Sequence, residues 1–176
     1  MTEDEKAMPQ LRYSPVRDGV GAYQRGDYAA ALEMLKGPAS NGHALAQLTL
    51  GLMYYDGSGV PQDHAEAARW LQMAVDFGEA SGIAEVMLGN IEAAERARSG
   101  AERGDASSMR FLGISYAFGF GVPRTAKLAY FWFRIATLNG CSRSHSLSAS
   151  AARKLTATEI EEADCAILLW RPKFSH

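Results

Sequence analysis

Cysteine is scarce in this chain: Cys141 and Cys165 are the only two in 176 residues. A small domain stapled by disulfides would use more, so both are expected to be free thiols, buried or half-buried. Proline is scarce as well, at six residues, and with 22% charged side chains the composition is that of a folded chain rather than a disordered one. Long apolar runs are missing. The longest candidate, Tyr130 to Ala136, is short and broken by Arg134, which excludes a membrane-spanning helix. The first ten residues carry Glu3, Asp4 and Glu5 and no apolar stretch, so no secretory signal is readable. The expected location is cytoplasmic, or periplasmic had a leader been trimmed. The length fits one domain or an undivided array and leaves no room for separate cofactor and substrate domains.

Acid is missing from one long segment. Ala106 to Lys154 holds seven bases, Arg110, Arg124, Lys127, Arg134, Arg143, Arg153 and Lys154, and no Asp or Glu. Residues 1 to 105 hold 9 bases against 16 acids, and residues 155 to 176 hold two against four. The formal charge of -2 therefore conceals a chain strongly polarised along its length.

What is present is an internal repeat at an offset of 62 residues. Sliding 44–78 onto 106–140 without a gap gives 12 identities in 35 positions. They include Leu50-Gly51 on Leu112-Gly113, Tyr54 on Tyr116, Gly57 on Gly119, and Gly59-Val60-Pro61 on Gly121-Val122-Pro123. Further along, Ala67 falls on Ala129, Trp70 on Trp132, Ala74 on Ala136 and Gly78 on Gly140. Within each copy two helical patterns flank a glycine loop. Gly57 suits the left-handed end of a helix, and Asp63 with Glu66 reads as a capping box that opens the second helix. Gly51, Ala67 and Ala74 let antiparallel helices approach closely, while Trp70 fills the wedge between successive hairpins. One hairpin cannot bury such a stripe alone, so hairpins must stack.

The run Leu50-Gly51, Tyr54, Gly57, Gly59-Val60, Asp63, Ala67, Trp70, Ala74, Gly78 resembles the Sel1-like repeat, a relative of the tetratricopeptide repeat. The copy at 106–140 departs from the pattern in having Thr125 where the family places Asp, a residue that can still cap a helix. The resemblance implies a right-handed α-solenoid of stacked antiparallel hairpins, all-α, acting as a non-enzymatic module that binds a protein partner. Upstream, Val16 to Arg25 and Ala31 to Gly42 read as the helices of a preceding unit.

Residues 79–104 keep only Leu88-Gly89 of the pattern and read as a shortened hairpin, Ser81 to Gly89 followed by Ile91 to Arg103. After Gly140 the repeat ends. Thr156 to Glu159 offers a capping box for a terminal helix from Ile160 to Trp170, stopped by Arg171-Pro172. The expected organisation is a tail at 1–12, repeats near 16–42, 43–78, 79–104 and 105–140, and a connector with a capping helix over 142–176.

A catalytic reading finds little to hold. The glycine loops do not follow strands and lack the Lys-Ser/Thr of a phosphate loop. Cys141 and His145 stand four apart with no third ligand nearby, and His43, His64 and His176 show no partner spacing. Five serines between Ser142 and Ser150 read as a polar connector. No catalytic residue, cofactor or metal site is assigned. The alternatives are a hydrolase acting on a cell-wall-related substrate, which only the resemblance to the Sel1-like repeat implies, and nucleic-acid binding through the basic 106–154 segment, against which the overall acidity argues. Head-to-tail self-association of acidic and basic ends is a further possibility.

The last repeat is also rich in aromatic residues. Phe118, Phe120, Tyr130 and Phe131 stand where the sister copy has Asp56, Ser58, Ala68 and Arg69. With Arg124, Lys127 and Arg134 they form the expected partner surface, suited to an acidic or aromatic-rich segment. The competing expectation is that these aromatics lie under the serine-rich connector and the terminal helix.

Overall fold

The computed structural model describes residues 14–76 and 82–170. Among them are nine α-helices and no strand, so the all-α expectation holds. They are α1 (Pro15–Gln24), α2 (Tyr28–Ser40), α3 (Ala44–Asp56), α4 (His64–Asp76), α5 (Gly82–Glu102), α6 (Ala106–Phe118), α7 (Ala126–Leu138), α8 (Ser144–Ala152) and α9 (Ala157–Leu169). Two compact units result, one ending at Leu88 and the other starting at Gly89. In the first, α1 packs on α2, α2 on α3 and α3 on α4, around Ala31, Leu35, Leu50 and Met53. In the second, α6 packs on α7, and both α8 and α9 lie against α7, around Met109, Leu112, Phe133, Ile135 and Ile167. Stacked hairpins of this kind are the architecture of an α-solenoid.

Close approach within each repeat hairpin follows from a missing side chain. A Cβ on Gly51 would lie 2.7 Å from Leu71 of α4, and one on Gly113 would run into the Phe133 ring of α7. Ala67, Ala74, Ala129 and Ala136 are buried along the same lines of approach. Both hairpins also turn by one mechanism. Gly57 and Gly119 take left-handed conformations, φ 73° and 82°, and end α3 and α6. The next glycines, Gly59 and Gly121, are again left-handed and sit against backbone or Cβ atoms of an earlier helix, Tyr28 of α2 for Gly59 and Asn90 and Ile91 of α5 for Gly121. Val122 is buried and Val60 packs against its unit's core.

Several local expectations change. The shortened hairpin expected between Ser81 and Arg103 is one continuous helix from Gly82 to Glu102. A lone glycine inside a helix costs about 1 kcal/mol, and Gly89 has no neighbouring breaker, so α5 runs through it. The serine-rich connector is largely helical: α8 packs on α7 and buries Ser144 and Ser148. Asp63 caps α4 by accepting from the amides of Ala65 and Glu66 at 2.9 and 3.0 Å, but the Glu66 carboxylate turns to Arg69 instead of reaching back. Thr125 makes no side-chain cap; its hydroxyl donates to the Pro123 carbonyl at 3.2 Å. Cys165 is exposed rather than buried, and Cys141 is half-buried. The terminal helix has its capping box, with the Glu159 amide donating to Thr156 Oγ1 and the Thr156 amide donating to Glu159 Oε2. The tail at 1–12, Gly78 and the Arg171-Pro172 stop lie outside the described residues.

Candidate protein-interaction face

Among the described residues of the second unit, the most exposed aromatics lie at the loop closing the α6–α7 hairpin. Phe118 is the last residue of α6 and Phe120 follows the capping glycine, which reverses the chain and brings the two rings side by side. Their centroids are 5.6 Å apart with planes 16° from parallel, and the residues are 66% and 42% exposed. A stacked pair exposed to this extent leaves contiguous apolar surface in contact with water. Arg124, on the same loop, is also exposed.

The remaining aromatics and bases of the expected surface are committed to the protein itself. Tyr130 is 7% exposed and donates from its hydroxyl to Asp164 Oδ1 of α9 at 2.9 Å. Burial pushes its phenol above the ordinary value, and the bond to Asp164 adds to this. Lys127 pairs with Glu162, and Arg134 Nε lies 3.9 Å from Asp164 Oδ1. Phe131 is half-buried, meets the Trp132 ring edge-on at 5.2 Å and packs against the core. Packing under the terminal helix thus describes Tyr130, with Lys127 and Arg134 partly exposed beside it and paired to α9, and not Phe118 or Phe120. The seven residues separate into an outward set, Phe118, Phe120 and Arg124, and a set that docks α9 or the core.

A pocket that sequence reasoning missed opens beside the outward set. It measures about 170 Å³ between α6, α7 and α8, with Ile114, Ala117, Ala126, Phe133 and Leu147 among its walls. Arg124 and Lys154 also line it. The signal for it lies in the same 62-residue register. Ala117 and Ala126 replace Tyr55 and His64 of the first copy, and there the two rings meet edge-on at 4.9 Å. Tyr55 is buried, and burial pushes the His64 imidazole below its ordinary value against the opposing pull of Asp63 and Asp56.

Among the described residues, no group of three or more His, Cys, Asp or Glu side chains is placed to share a metal ion. No helix there is long and apolar enough to cross a membrane.

Consecutive hairpins closed by glycine loops, with an exposed aromatic and basic face on the last of them, define a helical-repeat protein. Residues 44–76 and 106–141 match the family described as Sel1 repeat, at the positions the 62-residue register marks. Repeats of this family are in general protein–protein interaction modules. Among solved structures, a protective antigen present in uropathogenic Escherichia coli strains, displaying an SLR fold, is 24% identical over 86% of this chain and 28% of its own, with a TM-score of 0.36. A Sel1 repeat protein from Oxalobacter formigenes is 25% identical over 76% of this chain and 59% of its own, with a TM-score of 0.39. The chain therefore spans less than two thirds of either. No curated protein matches it significantly.

Proposed function

We propose that this chain is a non-enzymatic adaptor that engages a protein partner through the loop face of its last repeat. The observation that carries the reading is the stacked, water-exposed pair Phe118 and Phe120 with Arg124 beside it. Two aromatic rings already ordered against each other lose little conformational freedom on binding and desolvate a large apolar area, the usual makeup of an interface hot spot. The family's general role as an interaction module supports the class of function. Lys127 and Arg134 face carboxylates of α9, which lowers the share of the basic segment free to meet phosphates and weighs against nucleic acid.

Affinity purification from the native host tests the reading. The intact chain is compared with Phe118→Ser/Phe120→Ser and with Phe120→Ser/Arg124→Ser, each with its melting temperature. The expected result is a specific co-purifying protein lost from both variants, with melting shifted by less than about 2 °C because exposed positions contribute little to stability. A partner held equally by all three proteins removes this face from the function. A melting loss of several degrees would place Phe120 in the core.

A further inference from the structure

The two repeats share the walls that their own two helices supply but differ in what stands between them, and in the second repeat α8 adds a further wall. Around the pocket, Ile114, Ala129 and Phe133 replace Leu52, Ala67 and Leu71 of the first copy, apolar for apolar. The difference is in the filling. Tyr55 and His64 occupy the first copy with two rings in edge contact, while Ala117 and Ala126 leave a cavity of about 170 Å³ in the second. Truncating two rings to methyl groups would ordinarily destabilise a hairpin, since apolar walls lose their contact partners. Ligand-binding surfaces tolerate such losses because the missing contacts return on binding.

Charge narrows the occupant. Arg124 and Lys154 both line the pocket and both are exposed, and among the described residues no carboxylate pairs with either. From Ala106 to Lys154 the sequence supplies no acid at all. We propose that this pocket seats one aliphatic side chain of a partner segment whose flanking carboxylates pair with Arg124 and Lys154. The proposal rests on the adaptor reading and names the chemistry of the partner: an acidic peptide with a single leucine or isoleucine at its centre. The volume suits one such side chain and excludes a bulky ring pair. The stacked Phe118 forms part of the same wall, so the exposed face and the pocket are continuous.

The test uses the full chain and a capped nine-residue peptide with one leucine between two pairs of glutamates. Titration is followed by fluorescence anisotropy and by backbone amide shifts. The shifts are expected at Ala117, Ala126, Leu147 and Ala151. Replacing the peptide's leucine by serine should weaken binding about tenfold or more. Replacing its glutamates by glutamine should weaken it about threefold and abolish its salt dependence. Ala117→Tyr/Ala126→His, which rebuilds the filling of the first copy, should abolish binding. Should that variant fail to fold, Lys154→Glu is the second arm: it lies on the surface, should weaken the acidic peptide about threefold, and should favour a lysine-flanked counterpart.

The proposal is overturned if the serine peptide binds as well as the leucine peptide, if no shifts appear at millimolar peptide, or if the filled variant binds unchanged. It is overturned equally if N-acetyl-leucine amide binds as tightly as the peptide, which would make the pocket a small-molecule site. A partner captured through Phe118 and Phe120 alongside a silent peptide titration leaves the adaptor reading standing and removes only the pocket's assignment.

Discussion

The α3–α4 and α6–α7 hairpins are two solutions to one design. Each has two thirteen-residue helices, a left-handed glycine at the turn and a second glycine pressed against an earlier helix. The first is finished internally, with Tyr55 on His64 and Asp63 on the amides of α4. The second is left unfinished near its loop and completed elsewhere. Its cap makes no side-chain bond, its ring pair is replaced by alanines, and its Phe118 and Phe120 face water, while α8 and α9 cover its α7. Identical scaffolding with different filling indicates that the shared glycines and small residues serve the fold, and that the differences carry what is specific to the second copy.

The shared part is broken most sharply at Gly121. A Cβ there would lie 2.6 Å from Ile91 Cα and closer still to the Asn90 carbonyl oxygen, in a backbone conformation that L residues avoid. Backbone cannot step aside as a side chain can, so Gly121→Ala should cost about 3–5 kcal/mol in urea unfolding. Gly119→Ala meets nothing nearer than Arg124 Cβ at 3.5 Å. It should cost only the left-handed penalty of about 1–2 kcal/mol. Equal losses at the two positions would show that the loop is not seated on α5.

The next contrast is the one supplied by α9. Tyr130 stands where the first copy has Ala68, and its hydroxyl donates to Asp164 at 2.9 Å. Tyr130→Phe should destabilise by about 1.5 kcal/mol and leave partner capture unchanged, the opposite pattern from Phe118→Ser/Phe120→Ser. Loss of partner with Tyr130→Phe at full stability would return Tyr130 to the binding surface.

The caps differ by a smaller amount. Asp63→Ala removes an acceptor for two amides and should cost about 1 kcal/mol, whereas Thr125→Ala removes no cap and should stay within about 0.5 kcal/mol. Thr125→Asp should stabilise α7 by about 0.5–1 kcal/mol. A Thr125→Ala loss as large as that of Asp63→Ala would contradict the absence of a cap bond.

Much of this was legible in the residues because a repeat carries its own control. Glycines kept at one spacing mark the loop, since few other residues satisfy a left-handed turn position. Where the register has no sister, reading is uneven: the Thr156 and Glu159 capping box does open α9, but Gly89 looked like a boundary although a single glycine is too weak a breaker to stop α5, and alternating serines looked like a connector although α8 buries two of them. Which aromatics lie under α9 is a tertiary matter that spacing cannot decide, so Tyr130 and Phe118 read alike in sequence. The pocket differs again. Tyr55 against Ala117 and His64 against Ala126 were visible in the register, as residues lost rather than gained.

The smallest expected effect concerns the filling of the first hairpin. The His64 ring meets Tyr55 edge-on, and its Nε2 is buried without a hydrogen-bond partner. Burial holds its pKa below the ordinary histidine value, and Asp63 and Asp56 only partly offset this. Below about pH 6.5 the unfolded imidazole takes up a proton that the folded hairpin resists. The unfolded chain then binds more protons, so the His64 contribution lowers stability as pH drops from 7 toward 5.5 and is flat above 7. Asp56, whose pKa burial raises, works in the opposite sense. The expected fall in melting temperature is about 1–2 °C, and His64→Phe, which keeps a ring against Tyr55 but cannot titrate, should remove it. The second repeat has Ala126 at this position, so a slope that survives His64→Phe would have to come from outside the filling that distinguishes the two hairpins.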